Sequence, residues 1–192
     1  MRQSCHWATN HSLMQEYHDT EWGVPLHDDR KLFEFLVLEG FQAGLSWLIV
    51  LKKREAFREA FDDFDPAIVA CYDAEKINSL LQNPEIIRNR QKIEACVNNA
   101  RCFLKIQQEF GSFDRYIWGF VDYQPVVNHF TDLSQLPART PLSDQISADL
   151  KKRGFKFVGS TVVYAHLQAT GMVNDHLVHC WRHSEVAKPA GQ

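Results

Sequence analysis

The sequence predicts an all-α fold built as a single domain over residues 1–192. Three observations carry that reading: apolar residues recur at intervals of three and four through most of the chain, helix-opening pairs such as Asp65–Pro66 punctuate it, and neither repeats nor low-complexity segments nor a long linker interrupt it. A composition that is 45% hydrophobic and 12% aromatic can bury a core of its own and excludes disorder.

The elements follow in order. From Asp28 to Phe64 the apolar positions Leu32, Phe33, Leu36, Val37 and Phe41, then Leu45, Leu48, Ile49 and Phe57, have helical spacing. Asp28 or Asp29 is the candidate cap, and Gly40 or Gly44 marks an end or a change of direction. Asp65 before Pro66 opens a short helix through Cys71, an acceptor followed by a ring at the first turn. Asp73 caps another helix to Leu81. Pro84 then disfavours helical geometry at Asn83, and a long helix runs from about Ile87 to Phe110 with Ile93, Cys96, Val97, Ala100 and Leu104 inward. Together these two make a helical hairpin, about residues 73–110, whose second helix opens with Arg88, Arg90 and Lys92.

Phe113 to Val121 is helix-compatible, and Tyr123 to Pro141, rich in Pro, Thr and Ser, reads as a connecting loop. Ser143 opens a helix through Lys152 that Gly154 ends. Val158 to Leu167 is strand-like on propensity, but the spacing of Val158, Val162, Ala165 and Ala169 favours a buried helix.

Five Cys is an odd count without a framework spacing, which points to a reducing compartment. The N-terminal segment has no apolar signal region, and no stretch approaches the roughly 18 apolar residues of a membrane span. The expectation is a soluble, cytoplasmic protein of bacterial type. A formal charge of −3 argues at face value against nucleic acid.

Cys and His gather at both ends. Cys5 and His18 stand near the start, and HLVHC near the end sets His176 and Cys180 four apart, on one face if helical. Two thiolates and two imidazoles make a closed zinc set that is structural because no position is left for water. Spacing alone leaves alternatives: His179 and His183 are also four apart, His6 and His11 compete, and buried Cys with surface His is the plainer account.

Trp7, Tyr17, Trp22 and Trp47 fall on no amphipathic stripe. Core packing explains them simply, Trp22 above all, but they can also line a pocket that stacks a planar ligand. Glu39 ends the apolar run LFEFLVLEG, where an unpaired charge is expensive. Taken alone it reads as an exposed helix-terminal residue; with Tyr17 and Trp47 it suggests π-faces around one anionic acceptor.

At these residues the sequence resembles the 3-methyladenine DNA glycosylase I family. The strings are YHDTEWGVP (17–25), LEGFQAGLSWLIVLKKR (38–54), IIRNRQKIEACVNNAR (86–101), KKRGFKFVGSTVVYAHLQATGMVNDH (151–176) and the terminal HLVHC. They run in order along nearly the whole chain. The resemblance implies an all-helical member of the helix-hairpin-helix superfamily with a structural Zn2+ held by Cys5, His18, His176 and Cys180, joining segments of about 1–22 and 170–185. It implies a base pocket of Glu39, Tyr17 and Trp47 with Trp7 and Trp22 close by. The implied activity is hydrolysis of the N-glycosidic bond of 3-methyladenine in alkylated double-stranded DNA, releasing the free base. Some family members carry another aromatic one turn before Tyr17, where this chain has Leu13 and Met14.

The catalytic residue stays unassigned, since Asp114 and Asp122 have little to support them. Arg88, Arg90, Lys92, Lys151, Lys152 and Arg153 are the candidate DNA contacts, with turn amides of the hairpin gripping phosphates. A monomer is expected. Two rival readings are a non-catalytic zinc-stabilised nucleic-acid-binding module and a zinc metallohydrolase with an open site. Divided along the chain, positive charge concentrates in residues 40–60, 86–108 and 151–192. A polarised surface, with these blocks on one face, is the expectation that reconciles the acidic total with DNA.

Overall fold

Helices make up nearly all the regular structure of the protein, seen in a computed structural model that describes residues 3–187. The expected domain and its N-terminal zinc tether extend beyond this range at 1–2 and 188–192. The helices are α1 (Ser12–Thr20), α2 (Asp29–Gln42), α3 (Trp47–Ala60), α4 (Pro66–Val69), α5 (Ala74–Gln82), α6 (Arg90–Phe110), α7 (Phe113–Trp118), α8 (Pro141–Lys152), α9 (Ser160–Ala169) and α10 (Trp181–Val186). None of those described is long and apolar enough to cross a membrane.

α2 is the central element. Asp28 caps it, accepting from the Lys31 amide at 2.9 Å, and every residue from Leu32 to Phe41 is buried. A helix enclosed on all sides must be apolar on all sides except where a polar group has a purpose, and Glu34 and Glu39 are its exceptions. Glu34 is paired with the Arg54 Nε at 2.7 Å, and Arg54 in turn forks onto Glu21 at 2.7 and 2.8 Å. Glu39 has no such partner. Gly40 lies inside α2 opposite Phe157, with room for a Cβ at ordinary contact distance. Gly44, at φ +85°, forms the turn to α3.

The core beside α2 is aromatic. Phe41, Phe57, Phe61 and Phe64 form a chain of ring contacts 4.8 to 6.0 Å apart, and Phe103 stacks on Phe113 at 4.2 Å while meeting Phe33 edge-on. Offset and edge-on pairs of this kind add to the gain from burial itself.

Several boundaries differ from those the sequence predicts. α6 starts at Arg90 because Asn89 is extended and accepts from the Lys92 amide at 3.1 Å, so Arg88 belongs to the turn. α8 starts at Pro141: Thr140 and Ser143 each bond the other's backbone amide, which makes Ser143 the third residue of the helix rather than its opening. α9 is helical, as the three-and-four spacing predicts against strand propensity, but Val158 precedes it and Val162 and Ala165 are only half-buried; its buried face is Val163, Tyr164, His166, Leu167 and Ala169. α1 has no counterpart among the predicted elements, and the His11 side chain caps it at 3.1 Å. Two residues of the expected loop, Val126 and Val127, form β1 and pair in parallel with Val173–Asn174, β2. The two ends of the chain meet separately, where the Trp181 amide donates to the Gln3 carbonyl at 2.9 Å.

Candidate active site and metal centre

Four elements converge on a cavity of about 170 Å³. α1 contributes Met14 and Tyr17, the end of α2 contributes Glu39 and Gln42, the first residue of α3 is Trp47, and α9 adds Ala165 and Gln168. Trp7 and Trp22 close the remaining wall. The sequence-derived pocket of Glu39, Tyr17, Trp47, Trp7 and Trp22 is therefore assembled in one place. The Tyr17 and Trp47 rings lie 5.4 Å apart at 49°, and Trp7 meets Trp22 edge-on at 5.0 Å.

Glu39 is 4% exposed rather than a solvated helix-terminal carboxyl, and burial alone pushes its acid up to about 8. Desolvation also raises the Tyr17 phenol, helped by the nearby charges of Glu39 and Glu21. The Trp47 indole N–H is buried and has no hydrogen-bond partner among the described residues. A buried donor left unpaired costs about 1–3 kcal/mol, so Trp47 carries a cost beside a cavity that holds the buried acid of Glu39. Stacking faces plus an acid that ionises beside a cation suit a flat, positively charged heteroaromatic.

The sequence places the far wall at Leu13 or Met14. Met14 lines the cavity, while Leu13 is exposed. Gln42, Ala165 and Gln168 are lining residues that sequence reasoning misses, although the family-like strings contain them; only the rotation of α2 and α9 brings them inward. Asp114 bonds His27 at 2.7 Å, and neither it nor Asp122 lines the cavity.

The second site sits beside the first. Cys5, His18, His176 and Cys180 are all buried, with one ligand atom from each within 4.8 Å of the others, a group that could hold a metal ion. Cys180 Sγ is 3.3 Å from His18 Nε2 and 3.6 Å from His176 Nδ1, and Cys5 Sγ is 3.8 Å from His176 Nδ1. The outer nitrogens are held too: His18 Nδ1 meets Asp19 Oδ1 at 2.7 Å, and His176 Nε2 meets the Trp22 carbonyl at 2.9 Å. Hydrogen bonding to Cys5, with His176 and His18 behind it, holds the Cys180 thiol well below its ordinary range, whereas the same contact with Cys180, and burial, raise that of Cys5. His6, His11, His179 and His183 take no part in this group.

The six candidate DNA contacts divide. Lys92 departs from the expected surface role: it is 9% exposed, and its Nζ donates to the Phe41 and Ala43 carbonyls at 2.8 and 2.7 Å, satisfying the end of α2. Arg90 bonds Asn78 and pairs with Glu94, and Arg153 pairs with Asp149 and Glu109. Arg88, Lys151 and Lys152 are exposed. Lys53 Nζ reaches the Pro84 and Glu85 carbonyls in the turn before α6, and Asn99 bonds the Lys156 backbone.

An all-helical scaffold that opens a stacking pocket around one buried acid, next to a Cys2His2 cluster, defines a class: proteins that enclose a single flattened, cationic heteroaromatic. Within that class the chain belongs to the methyladenine glycosylase family, whose model matches residues 7–183. It is 51% identical over 176 residues to DNA-3-methyladenine glycosylase 1 of Escherichia coli strain K12, covering 92% of this chain and 94% of that one. A crystal structure of a 3-methyladenine DNA glycosylase I, 50% identical, superposes with a TM-score of 0.91 over 93% of this chain and 98% of the other. The Staphylococcus aureus enzyme, solved for the structural basis of its 3-methyladenine recognition, is 40% identical with a TM-score of 0.91 and 98% of each chain covered.

Proposed function

We infer that the protein is a DNA glycosylase of base-excision repair, hydrolysing the N-glycosidic bond of 3-methyladenine in alkylated DNA and leaving an abasic site. The observation that carries this is the aromatic cavity closed on the lone buried acid of Glu39. Methylation at N3 makes adenine cationic and weakens its glycosidic bond, so the base already leaves readily. Extruding it from the duplex costs a few kcal/mol, less for a damaged base. Stacking on Trp47 and Tyr17 offsets about 1–3 kcal/mol of that.

Glu39 serves recognition. Bond cleavage neutralises the base and moves positive charge to the sugar, so an anion at the base's inner edge stabilises substrate more than transition state. Its carboxylate accepts hydrogen bonds from the adenine edge, Tyr17 and Trp47 supply the faces, and Trp7 and Trp22 support them.

The Cys5, His18, His176 and Cys180 group suits structural Zn2+. Tetrahedral zinc with bonds of about 2.3 Å to sulfur and 2.0–2.1 Å to nitrogen needs S···N edges of about 3.5 Å, which the 3.3, 3.6 and 3.8 Å separations match. The Asp19 and Trp22 carbonyl bonds to the outer nitrogens are the support such ligands use. Four protein ligands leave no open position, which favours a staple between the chain ends over a metallohydrolase centre.

Helices α5 and α6 would act as a helix-hairpin-helix grip on the phosphate backbone, the intervening turn offering amides and Arg88, while Lys151 and Lys152 add charge from α8. The protein would work as a single-domain cytoplasmic monomer on duplex DNA. The test is chromatographic: alkylated DNA incubated with the protein should release 3-methyladenine as free base, and no release under single-turnover conditions would reject the assignment.

A further inference from the structure

Gln168 stands on the wall between two spaces. It lines the base cavity with Glu39 and Trp47, and it also lines the adjoining groove with Gly44, Leu45 and Thr161. Its amide is anchored from behind. Gln168 Nε2 donates to Asp175 Oδ2 at 2.8 Å, the same oxygen accepts from the Tyr164 hydroxyl, and Asp175 Oδ1 accepts from Asn128 Nδ2 at 2.7 Å. Asp175 is only 1% exposed. The amide nitrogen is thus the end of the side chain that is held. That leaves Gln168 Oε1 without a protein partner among the described residues, on a side chain that lines both spaces.

We propose that Gln168 Oε1 orients the water that replaces the departing base at the sugar C1′. The proposal rests on the glycosylase reading above. A cavity of about 170 Å³ takes the base and leaves the strand outside, so the glycosidic bond lies at the mouth, which Gln168 lines from both sides. Glu39 and Tyr17 line only the inner space. Gln42 lines both spaces, as Gln168 does, but its amide makes no hydrogen bond among the described residues.

The step balances. The bond between C1′ and the base breaks with its electron pair going to the base, which leaves neutral. A lone pair of the water oxygen forms the new bond to C1′, and one water proton, hydrogen-bonded to Oε1, passes to bulk water. The amide itself takes up no proton. Glutamine holds an attacking water in this way in other hydrolases. A carbonyl oxygen near C1′ favours the positive charge that develops there.

Single-turnover excision from alkylated duplex DNA, paired with titration of free 3-methyladenine, tests this. Gln168→Ala, and Gln168→Met as the variant that keeps the volume, should slow excision roughly 10- to 100-fold and leave the free-base affinity within about twofold. An unchanged rate overturns the proposal. A loss of affinity equal to the loss of rate overturns it as well, because Gln168 would then be reading the base. Asp175 is a positioning residue: Asp175→Asn should slow the wild type but add no further loss to Gln168→Ala, and additive losses would reduce it to a folding role. Metal content and melting temperature are followed alongside, since Asp175 adjoins His176. Wild-type protein that releases no 3-methyladenine would reject the glycosylase reading and this proposal with it, a result distinct from an active wild type indifferent to Gln168.

Discussion

Replacing Glu39 with Gln should stabilise the protein while weakening its hold on the lesion. Burial raises the Glu39 acid from 4.5 to about 8. The folded state then binds this proton more tightly than the unfolded chain does, so the contribution to stability falls as pH rises from 4.5 and levels off above about 8. At pH 7 the unfolded carboxyl is ionised and the folded one largely is not, a penalty of about 3 kcal/mol set by the separation of 7 from 4.5. The neutral amide of the Glu39→Gln variant carries no such penalty. Denaturant melts of wild type and variant should nearly coincide at pH 5 and separate, with the variant more stable, towards pH 8. A cationic lesion selects the ionised acid, so wild-type affinity for alkylated DNA relative to unmodified DNA should rise with pH across the same window, and that of the variant should stay flat. If the stability gap fails to grow with pH, Glu39 is solvated and the desolvated-pocket argument is wrong.

His166 on α9 is buried with both ring nitrogens unpartnered among the described residues, and burial lowers it to about 4; the fold should lose about 3 kcal/mol between pH 6.5 and pH 4 through this group, and His166→Leu should abolish that loss in urea titrations, an equal acid sensitivity in the variant counting against it. Cys180→Ser should lower bound metal and melting temperature together, and full stability without metal would remove the staple. Phe57, wholly buried against Phe41 and Phe61, should cost about 3–5 kcal/mol as Phe57→Ala by calorimetry, and a cost under about 1 kcal/mol, the range of a surface substitution, would show that the aromatic chain is not the core.

The helices are legible in the sequence because their causes are local. Asp28, Asp65 and Asp73 each bond amides two or three residues ahead, and in α9 helical spacing outweighs strand propensity, although the face that is buried carries Val163, Tyr164, His166, Leu167 and Ala169 and not the stripe of Val162 and Ala165. The pocket and metal groups are legible as residue types and as long family-like strings. Their assembly is not, since Cys5 and His176 meet across 171 positions of sequence.

The chain by itself therefore determined which segments coil, which side chains have the chemistry to hold a base and a metal, and the family to which they point. Tertiary structure decided what each charge does. Lys92 and Arg88 look alike in sequence, yet one closes the end of α2 and the other faces solvent. Glu34 and Glu39 share α2, yet Arg54 pairs with the first and no cation among the described residues pairs with the second. The difference is physical: a helix propensity is a sum over neighbours in sequence, whereas the state of a carboxyl or an ammonium depends on solvent and partners arriving from every side.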